Sequence, residues 1–108
     1  MMKKYAFILV NVENTKHDII EEYEGELFEM ERWDDLLWKY KEELEDEEKV
    51  IYAAILEPEK KVYETIYTGY FTHWDAYSDF PFELSPIIKD SSYNGEKNVP
   101  LDKVIKRN

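Results

Sequence analysis

The sequence contains no cysteine, only three glycines and only four prolines among its 108 residues. Without cysteine the chain has no disulfide, no thiolate metal ligand and no cysteine nucleophile, which fits a reducing cytoplasm. Gly25, Gly69 and Gly95 lie too far apart to build a glycine-rich phosphate loop. The common nucleotide and metal motifs are therefore missing, and we expect no cofactor.

Long apolar runs are also missing. The longest β-favouring run, "YAFILVNV" at 5–12, ends at polar residues and is not followed by a small-residue cleavage site. It is much shorter than the roughly 20 apolar residues that a membrane-spanning helix needs. We therefore expect neither a signal peptide nor a membrane span, and predict a cytoplasmic protein.

Basic charge is scarce, with 14 Lys and Arg against 25 Asp and Glu, giving a net charge of -11. The acidity belongs to one segment, because residues 13–48 hold sixteen acids and four bases. Nucleic acids and anionic membranes are bound by basic surfaces, so this charge argues against direct binding to either. Solubility and a basic protein partner are the two interpretations left for the acidic segment.

The remaining composition is that of one folded domain over residues 1–108, with 44% hydrophobic and 16% aromatic residues. Residues 5–12 are typical of a strand covered on both faces. Residues 13–24 fit either a helix or a strand, and we interpret 26–30 as a short strand. Residues 49–68 predict a β-hairpin, because "EPEK" at 57–60 places Pro58 at the second position of the turn.

A helix is predicted over residues 31–45. Its apolar stripe follows the spacing i, i+3, i+4, i+7 and i+11, and Trp38 lies about 140° away from Trp33 around the helix. Asp34 and Asp35 fall in the first turn, where acids suit the helix dipole. The stripe is formed by Trp33, Leu36, Leu37, Tyr40 and Leu44.

The fold class that follows is α+β. We expect a small antiparallel sheet of about four strands, packed on one main helix at 31–45. The C-terminal segment 87–108 is expected to be partly irregular, with a short strand or helical turn in "LDKVIKRN". The predicted strands are residues 5–12, 26–30, 49–56 and 61–68.

No pattern in the chain predicts catalysis. His73, Asp75 and Asp79 are the only clustered metal-ligand types, and His17 is far from them in sequence. No serine lies in a nucleophile motif, and carboxylates among other carboxylates form a solvated face rather than an acid–base pair. We therefore predict no enzymatic activity and no metal site.

Six aromatic residues crowd into residues 70–82. They fit a loop that covers the core, or a protein interface, since interfaces favour Tyr, Trp and Phe. An interface there would make the protein a structural or assembly protein that forms a homodimer. The aromatic residues are Tyr70, Phe71, Trp74, Tyr77, Phe80 and Phe82.

The acidic run at 42–48 stands where acids oppose the helix dipole, so helix formation does not explain it. A helix rises 1.5 Å per residue, and dense acids on one face approach the phosphate spacing of DNA, about one charge per 1.7 Å. The composition also resembles accessory proteins of low-GC bacteria and their phages. We therefore predict a small acidic, non-catalytic binding protein, with inhibition of a nucleic-acid-binding protein by charge mimicry as its mode. The candidate partner-binding residues are Asp34, Asp35, Glu42, Glu43, Glu45, Asp46, Glu47, Glu48, Trp38, Trp74 and Tyr77.

Overall fold

A computed structural model describes residues 2–11, 13–45, 49–71, 82–86 and 97–106. These parts of the chain contain seven strands, two α-helices and one 3-10 turn at Leu101–Lys103. The helices are α1 (Met30–Lys39) and α2 (Lys41–Leu44). The strands are β1 (Lys3–Asn11), β2 (Lys16–Gly25), β3 (Lys49–Glu57), β4 (Val62–Phe71), β5 (Phe82–Pro86), β6 (Asn98–Pro100) and β7 (Val104–Lys106).

All seven strands join one sheet, in the order β5-β4-β3-β1-β2-β7, with β6 paired to a second part of β4. The pairs are antiparallel except β2–β7, which is parallel. Ile20 in β2 and Ile66 in β4 are extra residues at register shifts, that is, β-bulges. Bulges bend a strand and increase its twist, which prepares the sheet to curl.

The C-terminal strap, residues 98–106, shows how far the sheet curls. Its β6 pairs with β4 and its β7 pairs with β2, and only the three residues Leu101–Lys103 join them. In a flat sheet five inter-strand spacings would separate β6 from β7, about 24 Å. The four Cα–Cα steps from Pro100, the end of β6, to Val104, the start of β7, span about 14 Å at most. The sheet is therefore curled into a half-barrel that the strap ties together.

Both faces of the sheet bury apolar side chains. On the helix-covered face, Tyr5, Phe7 and Leu9 of β1 pack with Trp33 and Leu37 of α1. On the strap-covered face, the alternate β1 residues Ala6, Ile8 and Val10 form a second cluster. This cluster also contains Ile19, Tyr52, Ala54, Tyr63 and Val99. Two covered faces explain why β1 is apolar at nearly every position.

The predicted fold class is wrong, because the structure is a mostly β, seven-stranded curled sheet rather than a small sheet packed on one main helix. The predicted helix 31–45 divides at Tyr40, which leaves helical geometry at φ -103° and ψ 21°. The apolar stripe runs through this break because Leu44 of α2 reaches the same core as Trp33.

Among the other predicted elements, some are confirmed and one is wrong. The strand at 5–12 and the hairpin at 49–68 are confirmed by β1, β3 and β4. The predicted strand at 26–30 is wrong, because β2 ends at Gly25 and residues 26–29 connect it to α1. In the C-terminal segment, residues 97–106 hold both a 3-10 turn and short strands. No helix in the part of the chain that the structure describes is long and apolar enough to span a membrane.

Candidate functional site

A groove of about 340 Å³ lies between β2 and α1, and four carboxylates converge on it. β2 supplies Glu21, the connection supplies Glu29, and α1 supplies Glu31 and Asp35. The same groove contains two basic side chains and one leucine, so it is acidic but not uniformly so. The residues of this β2–α1 groove are Glu21, Glu29, Glu31, Arg32, Asp35, Leu36 and Lys39.

Packing of α1 fixes the direction in which its acids point. Trp33, Leu36 and Leu37 are buried against the sheet. Glu31 and Asp35 are four residues apart and therefore share another flank of the helix, where both are exposed. The helix thus presents these two carboxylates side by side to solvent above β2.

Tyr23 anchors the connection that closes one end of the groove. Its ring stacks on Tyr5 with centroids 5.0 Å apart, and its hydroxyl accepts a hydrogen bond of 3.0 Å from the Glu29 N–H. The Arg32 guanidinium lies 4.5 Å from the centroid of the same ring, a cation–π contact. Burial raises the pKa of Tyr23 above its ordinary value, so this hydroxyl stays neutral at physiological pH. These contacts join the connection and the start of α1 to β2.

Arg32 is the main local counter-charge. Its Nε lies 3.6 Å from a Glu29 carboxylate oxygen, as an ion pair between half-exposed side chains. The Nε is buried and makes no hydrogen bond within the described residues. Arg32 thus offsets the charge of Glu29 in part.

A second groove, of about 410 Å³, surrounds Trp38 at the break between the helices. Glu42 and Glu43 of α2 line it together with Lys39, Tyr40 and Lys41. Glu45 is paired with Lys41 at the spacing i, i+4, so it does not present a free charge. Of the predicted acids at 42–45, Glu42 and Glu43 therefore line this mixed surface around Trp38, and Glu45 does not.

The sequence-predicted residues are thus only partly brought together. Asp35 lies in the β2–α1 groove, whereas Trp38, Glu42 and Glu43 lie in the Trp38 groove, and the half-buried Asp34 lines neither. Asp46, Glu47, Glu48, Trp74 and Tyr77 lie outside the described residues. Sequence reasoning missed Glu21, Glu29 and Glu31, although the acids of "EEYEGELFEME" were a visible signal.

Lys106, near the C-terminus, pairs with Glu22, an acid that does not line the β2–α1 groove. Lys106 of β7 lies 3.7 Å from Glu22, and Lys4 of β1 lies 3.3 Å from the same carboxylate oxygen. The hydrogen bond and charge of Glu22 raise the pKa of Lys4 above its ordinary value. Glu22 is therefore compensated within the fold, and Lys106 ties the end of the strap to β2.

Nothing in the described ranges brings three or more His, Asp or Glu side chains together as a metal site. His73, Asp75 and Asp79, the clustered metal-ligand types noted in the sequence, fall outside those ranges. A comparison of the chain with protein-family models, with curated proteins and with solved structures finds no match.

Proposed function

We propose that the protein is a non-catalytic binding protein whose acidic surface, formed by β2, α1 and the connection between them, binds a basic protein partner. The observation that carries this proposal is the convergence of Glu21, Glu29, Glu31 and Asp35 on one groove. These carboxylates come from three consecutive segments, and among the described residues that line the groove only Arg32 and Lys39 are basic. Complementary charge of this kind speeds association and selects the partner.

The partner that best fits is a nucleic-acid-binding protein, with inhibition by charge mimicry. α1 alone does not reach the charge density of DNA, because its ten residues span about 15 Å, where duplex DNA carries about nine charges. α1 carries three acids, Glu31, Asp34 and Asp35. The mimic is therefore the combined surface of α1, the connection and β2, which adds Glu29 and Glu21.

The test compares two variants of equal charge. The groove variant carries Glu21→Gln, Glu31→Gln and Asp35→Asn. The control variant carries Glu13→Gln, Glu59→Gln and Asp102→Asn, three exposed acids outside the groove. Both variants lose the same three negative charges, so general charge effects are matched.

Each protein is immobilised and used to capture partners from a bacterial lysate, and duplex DNA is then added as a competitor. We expect the wild type and the control variant to retain a basic protein that DNA and salt displace, and the groove variant to lose it. Equal loss in both variants would contradict a specific site. Capture that DNA does not disturb would contradict charge mimicry.

A further inference from the structure

Among the described residues, the outer edge of β2 is paired over less than half of its length. One edge of β2 pairs with β1 along the whole strand, whereas the other pairs with β7 only at His17–Ile19. Over residues 20–25 no described strand pairs with that outer edge. The backbone N–H and C=O groups that point away from β1 there are a template for another extended chain.

Charge at this edge selects what can pair with it. Glu21 lies on the helix side, in the β2–α1 groove, and Glu24 is exposed on the opposite side. A second copy of the chain paired edge to edge would bring the same carboxylates opposite one another, which is destabilising. A strand with basic side chains would instead place alternate residues beside Glu21 and the acids of α1.

Arg32 packs on one residue of this edge. Its guanidinium lies over Tyr23, one of the edge residues, and its buried Nε makes no hydrogen bond within the described residues. The bulge at Ile20 marks where pairing with β7 stops and the open part of the edge begins.

We propose that the partner binds as an extended basic segment that adds a strand to the outer edge of β2 at residues 20–25, in line with β7. This proposal rests on the proposed function and specifies the conformation in which the partner is bound. Backbone hydrogen bonds hold the segment, and alternate Lys or Arg side chains enter the β2–α1 groove.

The probe is a short synthetic peptide of alternating lysine and valine, titrated at low salt into the full chain labelled with ¹⁵N. Two further peptides carry N-methyl groups on the lysine residues or on the valine residues. N-methylation removes a backbone donor without changing the charge. In an added strand only alternate N–H groups face β2, so the two methylated peptides are not equivalent.

We expect the plain peptide to bind and to slow hydrogen exchange at amides within residues 20–25. One methylated peptide should lose at least about tenfold in affinity, the equivalent of one or two backbone hydrogen bonds, while the other binds like the parent. Equal affinity of all three peptides would overturn strand addition and leave the acidic surface intact as a binding site. Failure of the plain peptide to bind would overturn it as well.

Two variants of the protein distinguish an effect of charge at the β2 edge from an effect of net charge. Glu24→Lys at the edge should weaken the plain peptide on the order of fivefold at low salt, and Glu59→Lys in the hairpin turn should not. Equal effects of the two variants would contradict the proposed location. Protection of residues 20–25 that rises with protein concentration in the absence of peptide would overturn the proposal in favour of a second copy.

Discussion

Replacement of Gly69 by alanine tests the packing of α1 on the sheet. Gly69 is a buried residue of β4, and a Cβ built there would lie 2.8 Å from both Leu37 Cδ2 and Trp33 Cζ2. Favourable carbon–carbon contacts are about 3.5–4.0 Å, so the two side chains must move. Both are fully buried, with 0% exposure, and have no solvent to move into. Overpacking of this kind costs about 1–3 kcal/mol.

Gly25→Ala is the matched control, because its Cβ would meet the nearest atom, the Leu27 carbonyl oxygen, at 3.5 Å. We expect that variant to change stability by less than about 0.5 kcal/mol. The free energy of unfolding of both variants is measured by urea titration, with circular dichroism as the signal. The double variant Leu37→Ala/Gly69→Ala should lose less stability than the two single variants lose in sum. The reason is that Leu37→Ala removes one of the groups that clash with the new Cβ. Equal stability of the two alanine variants would refute the packing of α1 over Gly69.

Four further changes test other contacts. Leu37→Ala alone should lower the free energy of unfolding by about 2–5 kcal/mol, because Leu37 is fully buried. Val99→Ala should cost about 1–3 kcal/mol by urea unfolding, since Val99 fixes the strap to the second cluster. Burial raises the pKa of Tyr63 above 10.0, so its stabilising contribution is complete below pH 10.0 and is lost as the pH rises through the raised value. Tyr63→Phe should therefore flatten the alkaline loss of stability in a pH series. Glu45→Gln breaks one exposed pair with Lys41 and should change stability by no more than about 0.5 kcal/mol.

The sequence predicts those elements whose patterns are local. β1 is a continuous apolar run because both of its faces are covered, and the β3–β4 hairpin carries its turn signal in Pro58. The helical stripe predicts the buried face of α1 correctly. It does not predict the break at Tyr40, because Leu44 keeps the same spacing on both sides of the break.

β2 could not be assigned from its pattern because the bulge at Ile20 shifts its alternation. Ile19 and Tyr23 have helical spacing but lie on opposite faces of the sheet, and Leu27 is 80% exposed in the connection. The three-residue strands β6 and β7 are too short for any periodicity, and their partners are distant in sequence. The sequence therefore does not predict the curl of the sheet, which depends on these two strands.

Of the four acids that line the β2–α1 groove, the sequence singled out Asp35 and missed Glu21, Glu29 and Glu31. Asp35 was identified because acids at the start of a helix are visible in the sequence. Glu21 was not, because its position beside α1 requires the strand assignment that the bulge obscured. The acidic segment as a whole was recognised by its charge, and the structure shows which of its described acids meet at one groove.

The most direct test of the central claim is the dissociation constant of the purified partner for the groove variant and for the control variant, measured by titration calorimetry in the same buffer. Both variants lose three negative charges, so a difference between them reports the site rather than the net charge. If the β2–α1 groove is the binding surface, the groove variant should bind at least about tenfold more weakly than the control variant, a difference of about 1.4 kcal/mol. Dissociation constants that agree within experimental error would contradict the account.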